Sequence, residues 1–202
     1  IFFGDFENQA IYEKRDSINI QMSDRFHNIP RYSLRSNCRN TPRIAELVHL
    51  LGGLNPRYTK IRRPDNQIEP KIITYEDPFD QGDKIQKLLE RLTLEEKHTS
   101  QEIIILSCRS DSESAASNLS GNPRLNLYPL KYGYKPDKVQ YGSIHSFKGM
   151  EAPVVILTDV DNVISQDAQS LFYVGITRAL DKLYIFISKK VNSEISKILL
   201  ET

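Results

Sequence analysis

The sequence predicts an α/β domain built on a mostly parallel sheet flanked by helices. Three observations carry that prediction. Short apolar runs of strand length alternate with stretches of helical periodicity along the 202 residues, the pattern of repeated strand–helix–strand units. The run Ile103-Ile104-Ile105-Leu106 is continuously apolar. It lacks the alternation of a strand that wets one face, so it belongs in a sheet covered on both sides. Val154-Val155-Ile156-Leu157 is a second apolar run of strand length.

Thr41-Pro42 reads as a helix N-cap with proline in the first turn. Ile44, Leu47, Val48 and Leu51 then recur at helical spacing, and Gly52-Gly53 stop the helix. The polar, proline-containing stretch 54–70 predicts a loop or hairpin. A strand is expected over 71–75, then an amphipathic helix over 80–96 with Ile85, Leu88, Leu89 and Leu92 on one face. The strand at 103–106 and a short helix over 110–119 come next. Strands over 139–144 and 154–159, a helix over 169–180, a strand over 183–187 and a final helix over 192–200 complete the order.

The formal net charge is +1, so no global field draws the chain to nucleic acid or a membrane surface. Any contact with a polyanion must come from local clusters. The two cysteines, Cys38 and Cys108, lie far apart, which suits a reduced cytoplasmic protein better than a disulfide framework. The four histidines, His27, His49, His98 and His145, are scattered and no C-x-x-C occurs, which argues against a zinc site. The longest apolar runs are too short to cross a bilayer, and no signal peptide is visible. The chain opens on Ile1-Phe2-Phe3 leading into Gly4-Asp5. That reads as a start in mid-strand, so a piece of a longer protein is expected.

Four blocks then stand in order: Gly4-Asp5-Phe6-Glu7-Asn8-Gln9-Ala10-Ile11-Tyr12; Asn37-Cys38-Arg39-Asn40-Thr41; Ser143-Ile144-His145-Ser146-Phe147-Lys148-Gly149-Met150-Glu151; and Tyr173-Val174-Gly175-Ile176-Thr177-Arg178-Ala179. They resemble the third, fourth, fifth and sixth motifs of superfamily 1 helicases of the UvrD/Rep type. Any one alone is a weak signal; four in this order are a strong one. The resemblance implies a RecA-like fold, and an ATP site between two such domains. The chain has no G-x-x-x-x-G-K-[ST] loop. Residues 1–24 are therefore expected to be the tail of the first domain, and 25–202 the second. About thirty residues lie between 111 and 139, which resembles a compact variant without the large accessory insertion of many members.

The resemblance also assigns roles. Gln9, Arg39 and Arg178 are expected to sense and stabilise the γ-phosphate, where a guanidinium fork can bind two oxygens at once. Both arginines are expected to face the cleft between the halves. Gly149 and Glu151 are expected at the nucleotide, with the carboxylate on a ribose hydroxyl. Tyr12, Arg109, Ser143, His145 and Ser146 are expected to touch the strand, by stacking and by phosphate contacts that do not read sequence. Lys148 steadies a phosphate or is simply solvated. Cys38 departs from the family, which often carries an adenine-stacking aromatic there. ATP and Mg²⁺ are expected in the parent protein and none on this fragment alone. Expected partners are single-stranded DNA, with RNA kept open, and the first domain of the same polypeptide; no membrane is expected. The alternative is a degenerate RecA-like module that binds nucleic acid or protein without hydrolysis. A nucleotide-binding enzyme of unrelated chemistry would leave the motif order unexplained.

Two further clusters stand outside these motifs. Tyr128, Lys131, Tyr132, Tyr134, Lys135, Lys138 and Tyr141 interleave aromatics with lysines, a composition suited to stacking plus phosphate contact or to a plain tyrosine-rich turn. Arg57, Lys60, Arg62 and Arg63 form a second basic patch, read as a solvated loop.

Overall fold

The computed structural model describes residues 35–54, 57–163 and 165–200. The first block, with Gln9 and Tyr12, lies outside the described residues, as does the proposed boundary at 24/25.

Six strands form one parallel sheet: β3 (Lys71–Tyr75), β4 (Ile103–Ser107), β5 (Leu127–Pro129), β6 (Val139–Ser143), β7 (Ala152–Val160) and β8 (Ala179–Ser188). Their order across the sheet is β3-β8-β7-β4-β6-β5, and every pairing is parallel. A separate parallel pair joins β1 (Ser36–Asn37) to β2 (Lys60–Ile61). The helices are α1 (Pro42–Leu51), α2 (Pro78–Glu90), α3 (Ala115–Leu119), α4 (Gln166–Ile176) and α5 (Lys189–Leu200).

The continuous apolar runs sit where their composition demands. Ile103 and Ile105 of β4, Val154 and Ile156 of β7, and Tyr184 and Phe186 of β8 face one layer with Ile85, Leu88 and Leu89 of α2. Ile104 and Leu106, Val155 and Leu157, and Leu183 and Ile185 face the opposite layer with Ile44, Val48, Phe172, Ile176, Val191 and Ile195 of α1, α4 and α5. Each strand thus divides its side chains between two cores by the two-residue period. Full burial of one such side chain contributes about 1.5–3 kcal/mol, so loss of either layer unfolds the domain.

Several element ends differ from the sequence expectation. Helix α2 starts earlier than residue 80 because Asp77 caps it, accepting from the Phe79 and Asp80 N–H groups. It gives way at Arg91–Glu95 to a widened turn of the π type. The helix expected over 169–180 runs over 166–176 instead. Ala179 and Leu180 belong to β8, because Ala179 pairs with Ala152 at the start of β7. Thr41 occupies the N-cap position of α1 without a side-chain capping bond.

The strand order reverses between β4 and β7, with β5 and β6 on one side and β8 and β3 on the other. The crevice at the carboxyl ends beside such a reversal is the usual ligand site of an open α/β sheet. Here the protein fills it. A bulge near the end of β7 sets Asp159 in a left-handed conformation (φ 61°), 2 % exposed. Its carboxylate accepts from Gln81 Nε2 (2.7 Å), Ser107 Oγ (2.7 Å), Thr158 Oγ1 (2.9 Å) and the Ala115 N–H (3.2 Å). A carboxylate so fully bonded has little capacity left for a ligand.

Candidate functional site

The open cleft lies at the other edge, around the amino ends of β7 and β8. It encloses about 670 Å³ and is lined by residues of three of the sequence blocks, among them Asn37, Cys38, Arg39, Glu151, Tyr173 and Thr177. The fourth, fifth and sixth blocks therefore meet in one corner.

Hydrogen bonds explain why. Asn37 Oδ1 accepts from the N–H groups of Arg39 and Asn40 (2.9 Å each), which folds the chain into a tight turn with Arg39 at its tip. Asn37 Nδ2 donates to Asn40 Oδ1 at 3.0 Å. The buried Asn40 amide then donates to the carbonyls of Thr177 (3.3 Å) and Ala179 (2.6 Å), the two residues flanking Arg178. The Ala152 N–H donates to the Arg178 carbonyl at 3.1 Å, tying the sixth block to the fifth. Arg63 closes the assembly: Nη1 donates to the carbonyls of Arg39 (3.1 Å) and Leu180 (3.0 Å), and Nη2 meets Asp181 at 2.6 Å. Arg63 is thus a clamp behind Arg39, where the sequence suggested a solvated loop.

The two arginines differ in setting. Arg39 lines the cleft, its side chain 37 % exposed, with Nε 2.7 Å from Glu151 Oε2. Arg178 lies behind the surface at 2 % exposure. Its Nε donates to Val174 O (2.9 Å), Nη1 to Met150 O (3.3 Å) and Nη2 to Thr177 Oγ1 (3.2 Å). Among the described residues these engage three of its five N–H donors. Burial first, and the neighbouring Arg39 charge second, pull its proton affinity down to a pKa of about 10. Two like charges held this close favour an anion beside them.

Glu151 offers its half-exposed carboxylate at the cleft. Gly149, at φ 90°, turns the chain toward it in a conformation that favours glycine. Cys38 lies in the cleft wall, but the aromatic contribution comes from elsewhere. Tyr58, half-buried, lines the same cleft, its hydroxyl 3.4 Å from that of Tyr173. Nothing local in the sequence marks Tyr58 or Arg63, because each acts on residues far away in the chain. Among the described residues no group of three His, Cys, Asp or Glu is placed to hold a metal ion.

The remaining candidates lie at the carboxyl edge. The turn after β6 is fixed by Ile144 and Phe147, both buried, which leaves His145, Ser146 and Lys148 outward. Ser143 N donates to Asp111 Oδ1 (2.6 Å), Ser146 Oγ donates to Ser143 O (2.8 Å), and the two serine hydroxyls are 3.3 Å apart. Arg109 shares this edge, but its guanidinium binds Asp161, with Nε at 3.1 Å and Nη2 at 2.5 Å. A phosphate there must compete with that carboxylate.

Partial desolvation of this otherwise exposed ring, with the Lys148 charge second, lowers the His145 pKa below its ordinary 6.5. The ring is therefore neutral at pH 7 and offers a hydrogen bond rather than a charge. Below pH 6.5 the unfolded chain binds this proton more readily than the folded one, so folding stability declines as pH falls through that window. Urea titrations between pH 7.5 and 5 should show this decline, and His145→Gln should make it shallower.

Residues 139–186 match the family model of the UvrD-like helicase C-terminal domain. The match spans β6, the serine turn, β7, α4 and most of β8, and so contains both the fifth and sixth blocks. The C-terminal domain of a possible DNA helicase from Lactobacillus plantarum WCFS1 superposes with a TM-score of 0.54 at 15 % identity, covering 75 % of this chain and 87 % of that one. At that identity the likeness shows the fold alone. The C-terminal part of the Fun30 ATPase domain overlaps at a TM-score of 0.37 and 12 % identity, over 59 % of this chain and 44 % of that one, too little to weigh. No curated protein matches the chain. Over residues 139–186 the chain is thus similar to the UvrD-like helicase C-terminal domain, and its parallel α/β sheet flanked by helices has the fold of a helicase C-terminal, RecA-like domain. No helix among the described residues is long and apolar enough to cross a membrane.

Proposed function

We propose that this domain is the second half of an ATP-dependent UvrD-like DNA helicase or translocase. It completes an ATP site whose Walker loop and Mg²⁺ ligands lie on a partner half. The observation that carries the reading is the convergence of Arg39, Arg178 and Glu151 on one corner through Asn37, Asn40 and Arg63.

The residues fit a nucleoside triphosphate. Arg39 approaches the γ-phosphate from the cleft wall, releasing Glu151 to a ribose hydroxyl. Arg178 keeps Arg39 company as a buried positive charge and offers its two remaining N–H donors when the halves close. Positioned cations of this kind stabilise the charge spread over the transferring phosphoryl group. Gln9 is the water-orienting sensor on the partner side. Tyr58 gives the base a flat face that Cys38 cannot. In this scheme cleft closure assembles the catalytic corner and opening dissolves it. Alternation of the two moves the protein along a single strand held at the carboxyl edge by Ser143, His145 and Ser146, with Tyr12 stacking from the first half. Arg109 serves there only if Asp161 yields it.

The test joins this domain to its Walker-loop partner in one polypeptide and measures ATP hydrolysis with and without single-stranded DNA or RNA. Stimulation by a strand is expected, and the 202-residue chain alone should turn over no ATP. Lack of stimulation by either polymer favours the non-hydrolysing binding module. Within the joined protein, Tyr58→Ala should weaken binding of a fluorescent ATP analogue by roughly fivefold to a hundredfold, the worth of one base–aromatic stack. Tyr58→Phe should keep it.

A further inference from the structure

One feature of the surface is used by neither the cleft nor the serine turn. The loop 130–138, between β5 and β6, carries Lys131, Lys135 and Lys138 against the single acid Asp137. In a chain of net charge +1 this is a local concentration of positive charge. It also displays Tyr132 at 66 % and Tyr134 at 65 % exposure.

The loop is fastened to the sheet. The Gly133 N–H donates to Leu130 O (3.0 Å), Gln140 Nε2 donates to Gly133 O (2.9 Å), and the Lys138 N–H donates to Lys135 O (3.2 Å). Gly133 has φ 96°, which favours glycine and sets a sharp bend between the two rings. Two large rings therefore stand in water on an anchored backbone. Rings and ammonium groups interleave: Lys131 Nζ lies 5.0 Å from the Tyr132 ring centre and Lys135 Nζ 4.7 Å from that of Tyr128. Tyr128 and Tyr132 meet edge to face at 6.3 Å.

The position adds direction. Strand β5 pairs in parallel with β6, so the loop leaves the sheet at the same carboxyl edge as Ser143 and runs back along the outer edge of β5 to the amino end of β6, where Gln140 holds Gly133 and Lys138 Nζ meets Asn126. Its first residue abuts the serine turn: a Cβ built on Gly142 would meet Ser146 Oγ at 2.8 Å and Leu130 Cβ at 3.2 Å.

We infer that the 130–138 loop is a platform for single-stranded nucleic acid. Bases stack on Tyr132 and Tyr134, and Lys131 and Lys135 take the adjoining phosphates. Stacking tolerates any base, and the flanking charge follows the backbone. The platform extends the strand path beyond Ser143, His145 and Ser146, and in that respect rests on the nucleic-acid reading of the turn.

The test is fluorescence anisotropy of labelled oligo(dT) and oligo(U) titrated with the 202-residue chain. Its variants are Tyr132→Ala/Tyr134→Ala, Tyr132→Phe/Tyr134→Phe, Lys131→Ala/Lys135→Ala and Ser143→Ala/His145→Ala. The loop positions and His145 are exposed and Ser143 is half-buried, so unfolding by these changes is unexpected, and a thermal melt of each variant checks it. The double alanine change at the tyrosines should weaken binding at least tenfold, and the phenylalanine pair should keep it. The lysine pair should flatten the salt dependence by about 1.4 in log–log slope, near 0.7 per phosphate. Wild-type affinity in the tyrosine-to-alanine variant, with binding lost in the Ser143/His145 variant, overturns the platform and leaves the turn standing. The reverse pattern supports the platform and removes the turn from the path. Equal loss in the phenylalanine and alanine pairs overturns stacking. No binding of either polymer by the wild-type chain overturns platform and turn together, while the ATP cleft is judged by hydrolysis in the joined protein.

Discussion

Replacing Arg178 by alanine is expected to do two kinds of damage at once. The side chain is 2 % exposed and donates to Val174 O, Met150 O and Thr177 Oγ1. Its removal takes the side-chain donor from Met150 O, leaves Val174 O with the Thr177 hydroxyl alone of the two side-chain donors, and opens a cavity beside them. The expected cost is about 2–4 kcal/mol of folding stability. For a domain of this size that lowers the midpoint of thermal unfolding by about 5–15 °C. In the joined protein ATP hydrolysis should fall by about 10³ or more, the worth of an arginine finger. Lysine should rescue little of either. Its compact ammonium cannot reach three acceptors that the planar fork serves from fixed directions. Differential scanning calorimetry and steady-state ATPase assays on Arg178→Ala and Arg178→Lys check both parts. A fully stable Arg178→Ala protein would contradict the packing derived for this corner.

Arg39→Ala is expected to separate the two effects. Its ion pair with Glu151 is solvent-exposed on both sides, 37 % and 47 %, and such pairs contribute about 0–1 kcal/mol. The loop geometry around it depends on the Asn37 side-chain Oδ1 and on backbone groups, which the substitution leaves in place. Unfolding should therefore be nearly unchanged while hydrolysis falls by about 10² to 10³. Asn40→Ala, by contrast, removes the amide that joins the Arg39 turn to Thr177 and Ala179. It should lower stability and activity together.

The parallel architecture was readable because strands buried on both faces need apolar side chains in both phases, and Ile103-Ile104-Ile105-Leu106 supplies them. The motif order was readable because Arg39, Glu151 and Arg178 sit in short local patterns. The remainder depends on contacts between distant residues. Arg63 acts 24 residues from Arg39 and 117 from Leu180, and no local pattern records such a bond. Strands β1, β2 and β5 have two or three residues each, too few for a period to show. The end of α4 was hidden for a similar reason. Thr177 Oγ1 and Arg178 Nε both donate to Val174 O, and pairing of Ala179 with Ala152 turns the chain from helix to strand. The apolar pattern there suits either state. At the site, what the sequence marked as two equivalent arginines is an exposed one and a buried one, Arg178 being drawn inward by bonds to the Val174 and Met150 carbonyls while Arg39 stands at the tip of its turn.

In the proposed site the Asn37–Asn40 turn presents Arg39 to a triphosphate held by a partner domain. The most direct measurement is the single-turnover rate of ATP hydrolysis by the joined two-domain protein, strand-bound and saturated with ATP, for wild type and Arg39→Ala. A rate about 10² to 10³ lower is expected in the variant, with the same unfolding midpoint. Equal rates in the two proteins would contradict it.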